Sequence, residues 1–158
     1  MKIDISRRKA EPPLEAKGFI GTSVSESSKY FNLNSGLGTM PHALVGYAGS
    51  TIDSVRMFHA TFPKENIVIL PDYFGKEISD SVSVCKKYNQ LVKKSKVLVR
   101  LDTPSGRYVE GLDLAKSYNI LEKYAPQSIS EYRSEEELKH LVGPGVSAAA
   151  IWYLRSKL

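Results

Sequence analysis

The chain has almost nothing that would crosslink it, anchor it in a membrane or repeat along its length. Cys85 is the one cysteine among 158 residues, so an internal disulfide and any Cys-rich metal site are excluded. A single thiol suits a reducing compartment, and a cytoplasmic location is expected. No apolar run approaches the ~18 residues that a membrane helix needs. The opening MKIDISRRKAEPP carries charges but no apolar h-region, so no secretory signal is expected. Internal repeats, low-complexity tracts and Gly/Ser linkers are lacking as well, and one domain over 1–158 is expected.

What is present is of globular type. Apolar residues make up 42% and charged residues 25% of the chain, which excludes disorder and collagen-like repeats. The net charge is +5 and the isoelectric point about 9.2. Such a balance suits an anionic small-molecule substrate or weak nucleic-acid contact equally well. The lysines Lys86, Lys87, Lys93, Lys94 and Lys96 lack interleaved aromatic residues, however, which argues against a nucleic-acid-binding module.

Two compact apolar runs, residues 66–71 and 96–101, have the character of strands buried on both faces. Between them, Ile78, Val82 and Cys85 recur at helical spacing, and a helix over 76–89 is expected. A strand–helix–strand unit of this kind implies parallel strands. Both runs end on an aspartate, Asp72 and Asp102. In parallel sheets and barrels function gathers at the carboxyl ends of strands. Before this unit, Ser23 is positioned to cap a helix toward Phe31. Helical patterns then cover Leu44, Val45 and Tyr47, and Ile52 to Phe58. Beyond Gly111 the pattern is helical, with Ser134 and Glu137 spaced as a capping box and an Ala-rich apolar stretch from Val146 to Leu154. The fold class expected is α/β with a helical C-terminal part, though two parallel strands make a small core for such a protein.

Several residues could carry chemistry, and each has a plainer reading beside it. His42, after Gly38-Thr39-Met40-Pro41, can accept a phosphoryl group or act as a general base; it also reads as a loop histidine with a local hydrogen bond. Asp102, followed by Thr103-Pro104-Ser105-Gly106-Arg107, can hold a metal ion or sugar hydroxyls with Arg107 near a phosphate; the same residues favour a simple turn. Asp72 repeats the strand-end placement. Arg7 and Arg8 can grip a carboxylate or phosphate, or be solvated. Cys85, His59 and His140 read as structural. Gly143-Pro144-Gly145 separates two helices and lacks the Lys-Ser/Thr of a phosphate cradle.

Taken together, Ser6-Arg7-Arg8, GFIGTS at 18–23, GTMPHALV at 38–45, ILPDYFGKE at 69–77 and VRLDTPSGR at 99–107 resemble the nicotinate phosphoribosyltransferase family, in the family's order. The resemblance implies a partial TIM-like α/β barrel of the type II phosphoribosyltransferase kind. It implies transfer of phosphoribose from phosphoribosyl pyrophosphate to nicotinate, in NAD salvage. ATP and Mg²⁺ would serve it, through a transiently phosphorylated histidine at His42. It places Arg7 along the pyridine ring and its carboxylate, with Ser23 near the same pocket. Asp102 would hold ribose hydroxyls or the Mg²⁺–pyrophosphate group, and Asp72 would be a second acidic group. Arg7, Ser23, His42 and Asp102 are then expected to converge on one cleft. Full-length relatives have an α/β domain before the Arg-Arg motif and further barrel strands after the region matched here. Thr103-Pro104 also stands where many members have Ser-Gly-Asp. The chain therefore resembles the family's central piece, nearly inactive alone and expected to self-associate or to pair with a complementing chain. Its rivals are a non-catalytic remnant or companion subunit, and an enzyme resembling quinolinate phosphoribosyltransferase.

Overall fold

The computed structural model describes Ser28, Lys29, Asn32, Asn34 and residues 38–158. The chain divides into two compact units, Met1–Thr39 and Met40–Leu158. In the first, Ser28 and Lys29 form a 3₁₀ turn, followed by Asn32 with φ +55°. Arg7 and Ser23, and the helix expected after Ser23, lie outside the described residues.

The second unit is mostly helical around a small sheet. Its elements are α1 (His42–Ala48), α2 (Thr51–Thr61), β1 (Ile67–Ile69), α3 (Glu77–Lys87), α4 (Asn89–Lys93), β2 (Val97–Val99), α5 (Leu114–Tyr124), α6 (Pro126–Ser130), α7 (Glu135–Val142) and α8 (Ala148–Lys157). The two strands pair in parallel, with Ile67 opposite Val97, Val68 opposite Leu98 and Ile69 opposite Val99. Both expected strands are therefore present in the expected orientation, each trimmed to three residues. The expected helix over 76–89 ends at Lys87, and Tyr88 restarts the chain into α4. The α/β class holds in this reduced form: helices dominate, and among the described residues the sheet has two strands.

Local chemistry sets the helix limits. Gly49 closes α1 at φ +76°, a left-handed conformation that glycine adopts without steric cost. Ser50 then caps α2, its hydroxyl accepting from the Asp53 amide. The capping box before α7 forms as expected: Ser134 Oγ accepts from the Glu137 amide at 3.1 Å. The Glu137 carboxylate in turn accepts from the Arg133 amide, one residue before the cap. Ser147 caps α8 and delays its start to Ala148, two residues inside the Ala-rich stretch.

The apolar residues bury in three adjoining groups. Met40, Val55, Ile67, Ile69 and Val84 pack α2 and α3 against β1. Ile78, Val109, Leu112, Ala150 and Leu154 form a second group, and the half-buried Val99 touches both. The third joins Leu121, Val142 and Ala149 among α5, α7 and α8. There Tyr124 and Trp152 stack at 5.6 Å with rings 5° apart, Lys123 lying over the Tyr124 ring and Arg155 over the Trp152 ring. The ring pair joins α5 to α8.

β1 is buried at Ile67 and Ile69, whereas all three residues of β2 are half-buried. No helix among the described residues is long and apolar enough to cross a membrane.

Two measurements check this packing. Ile67→Ala removes a fully buried side chain beneath the sheet and is expected to cost about 2–5 kcal/mol, read from urea denaturation. Burial pushes the Cys85 thiol pKa up from its ordinary value, which lowers the thiolate fraction. Alkylation by iodoacetamide at pH 8 should therefore run slower on the folded protein than on the urea-unfolded chain.

Candidate active site

The site begins with how β1 organises the residues before and after it. The Met40 amide donates to the Val68 carbonyl at 3.4 Å on the outer edge of β1, and the Met40 side chain is buried. Pro41 then initiates α1, so His42 opens that helix beside the strand. At the other end, β1 runs through Leu70 and Pro71 into Asp72, at the carboxyl end of the sheet. The two pieces of chain meet here: His42 Nε2 lies 2.9 Å from Asp72 Oδ1. The Asp72 side chain is only 6% exposed and that of His42 41%, so the carboxylate is buried and the imidazole faces solvent.

A buried carboxylate is an acceptor, so the contact calls for a proton on Nε2; in the neutral ring this leaves the lone pair on Nδ1. The result is a solvent-facing ring with a defined tautomer. Tyr73 lies beside it, its ring centroid 6.0 Å from that of His42, and stacks edge-on with Phe74 at 4.8 Å. Both aromatic side chains are exposed.

Asp102 sits at the corresponding end of β2. Its Oδ2 accepts from Arg100 Nη2 at 3.4 Å. It makes no direct hydrogen bond to His42, Asp72 or Arg107. Arg107 does reach the His42–Asp72 side: its Nη2 donates to the Asp72 carbonyl oxygen at 3.0 Å and pairs with Glu77 Oε1 at 2.5 Å. Nη1 donates to the Tyr108 carbonyl at 3.3 Å. Internal acceptors thus take three of its five N–H groups, with 37% of the side chain exposed.

The geometry therefore joins His42, Asp72 and Arg107 and leaves Asp102 with Arg100 at the neighbouring strand end. Arg7 and Ser23 lie outside the described residues, so the four-residue convergence reduces here to His42 and Asp102, which share no hydrogen bond: His42 pairs with Asp72 and Asp102 with Arg100. The described residues contain no group of three His, Cys, Asp or Glu side chains able to hold a metal ion. His59 packs edge-on against Tyr88 and Cys85 lies on α3; His140 is exposed on α7.

Glu77 is the residue that sequence reasoning missed. It lies in the first turn of α3, where acidic residues usually complement the helix dipole from solvent, yet its side chain is completely buried. Thr103 Oγ1 donates to Oε1 at 2.9 Å, and the Glu110 amide donates to Oε2 at 3.1 Å. Glu110 returns the contact, its Oε2 accepting from the Ile78 and Ser79 amides at 2.8 Å each. No local pattern signals either acid, because their partners are ~25–35 residues away in the chain, beyond any periodicity. A depression of about 360 Å³ lined by Ser128, Glu131, Arg133, Glu137 and Leu141 includes none of these residues.

No family model, curated protein or solved structure matches the chain.

Glu77→Ala would strand the Arg107 guanidinium and two donors. A loss of about 3 kcal/mol is expected, the low end for a broken buried pair because Arg107 keeps contact with water. Urea denaturation of the variant against the parent measures it.

Proposed function

We propose that this chain carries the phosphate-accepting half of a nicotinate phosphoribosyltransferase, with His42 the phosphoacceptor. The observation that carries the reading is the 2.9 Å contact between the exposed His42 imidazole and the buried Asp72 carboxylate at the carboxyl end of β1. The resemblance of the 38–45, 69–77 and 99–107 segments to the family's motifs supports the particular substrates, nicotinate and phosphoribosyl pyrophosphate, with ATP as phosphoryl donor.

The chemistry follows from the tautomer. Asp72 holds the Nε2 proton, which leaves the Nδ1 lone pair of this exposed ring as the nucleophile. Its attack on the terminal phosphorus of ATP forms the N–P bond while the bond to the bridging oxygen breaks and ADP departs. As the ring gains positive character, Asp72 stabilises it without itself taking up the proton. In the transfer step the pyridine nitrogen attacks the anomeric carbon and pyrophosphate leaves. Asp102 is assigned to the ribose hydroxyls or the pyrophosphate, and the unused donors of Arg107 to a phosphate oxygen. Magnesium, when bound, would screen the phosphate charge that opposes both displacements. Arg7 and Ser23 are assigned to the nicotinate.

A second reading, a companion subunit, rests on β2. A parallel strand is ordinarily covered on both faces, and Val97, Leu98 and Val99 are each only half-buried. Light scattering of the purified chain, alone and with candidate partner chains, separates a monomer from an assembly.

Incubation with γ-labelled ATP should place acid-labile phosphate on His42, at Nδ1, and His42→Ala should abolish it. Asp72→Asn, which no longer favours the Nε2–H tautomer, should slow labelling by about 10²–10⁴-fold. Absence of acid-labile phosphate on the parent protein would overturn the reading.

A further inference from the structure

We infer that Glu77 is a positioning residue for the His42–Asp72 pair, acting through Arg107. The inference rests on the reading of His42 and Asp72 as a chemical pair and adds what sets its geometry.

Asp72 lies beyond the last ladder residue of β1, in a turn, where backbone hydrogen bonding alone holds a residue loosely. Its carbonyl oxygen nevertheless has two donors, the Gly75 amide at 3.1 Å and Arg107 Nη2 at 3.0 Å. The first closes the turn and the second ties it to another part of the fold. Arg107 is itself fixed at both ends. Its backbone carbonyl accepts from the Gly145 amide at 2.8 Å. Gly145 has φ +83°, and a Cβ there would come within 3.1 Å of Ser105 Cα, so this close approach requires glycine. At the other end, the guanidinium is held by the Glu77 carboxylate, which no water reaches and which Thr103 and the Glu110 amide hold in turn. A guanidinium with three acceptors, one of them a buried carboxylate, has little freedom to turn. A continuous set of contacts therefore runs from Glu77 through Arg107 to the Asp72 carbonyl, and so to the carboxylate that orients His42. Glu77 makes no hydrogen bond to the imidazole or to the Asp72 carboxylate; its side-chain partners are Thr103, Arg107 and the Glu110 amide.

The test reads the tautomer of His42 directly, from the ¹⁵N resonances of its ring at pH 8.5 in uniformly labelled protein. In the parent the two nitrogens should be widely separated, with Nε2 protonated and Nδ1 bare. The double variant Glu77→Gln/Arg107→Met removes both charges together and so avoids stranding either one. In it the two resonances should draw toward each other as the ring samples both tautomers. Transfer of phosphate from ATP should fall at least about 10²-fold, the usual cost of a misplacement near 1 Å, with the lost Arg107 donors adding to it, so the resonances and not the rate decide. Leu121→Ala, a cavity in the distant group of α5, α7 and α8, should leave the separation as in the parent. An unchanged separation in the folded double variant would overturn the proposal, as would an equal collapse in Leu121→Ala. Should the double variant not fold, Thr103→Val, which removes one donor from Glu77, takes its place with the same expected direction, and no change there overturns the proposal equally. The resonances need no phosphate donor. A parent protein that shows the separated pair but accepts no phosphate would sink the functional reading and leave the positioning role standing.

Discussion

A carboxylate shut away from water must find all its donors inside the fold, and the elements that supply them are then held to one another. Glu77 is in that position. Its donors come from Thr103, Arg107 and Glu110, all on the segment after β2, while Glu77 itself opens α3. The ion pair therefore fastens the second strand's exit to the helix that precedes it. Glu110 repeats the fastening in reverse at the α3 amides. Two short strands supply few ladder hydrogen bonds, so a polar lock of this kind does for the sheet what width does in a larger α/β protein. Because the lock is ionic and fully enclosed, loss of one partner costs more than the pair contributes over an apolar substitute.

The same lock sits next to the candidate chemistry. His42 and Asp72 come from opposite sides of β1, the first through Met40 on the strand edge, the second through the turn after it. His42 opens α1 and Asp72 stands in a turn, with the buried Met40 two residues before the one and Arg107 on the carbonyl of the other. Asp102 lacks such a tether toward His42. It is paired with Arg100, so the two strand ends present separate polar groups rather than one merged cluster.

Much of the local structure was legible in the chain. The parallel pair at 67–69 and 97–99, the intervening helix and the capping box at Ser134 all follow from short-range rules: apolar run length, helical spacing, a hydroxyl before an acid. Strand length was not legible. Apolar runs of six residues shrank to three because a strand lasts only while a neighbour accepts its hydrogen bonds, and that depends on the partner run. The coarse class, α/β with a helical second half, was readable for the same short-range reasons, while the number of strands was not. The partial barrel remains an implication of the family resemblance.

The sequence by itself determined that helices surround a parallel pair, which faces are apolar, and which residue types stand at the strand ends, because each of these rests on groups within a few positions of one another. It marked His42, Asp72, Asp102 and Arg107 as chemically capable. Only the tertiary structure decided that His42 meets Asp72, that Asp102 turns to Arg100, and that Arg107 spends most of its donors within the protein. It alone made Glu77 a buried hub. Those contacts join residues about 25–35 positions apart, or, for Asp102 and Arg100, depend on which way a strand end faces, and no periodicity encodes either. They are settled when the strands pair and the helices cover them, because a buried charge must then find its partner wherever the packing has placed one.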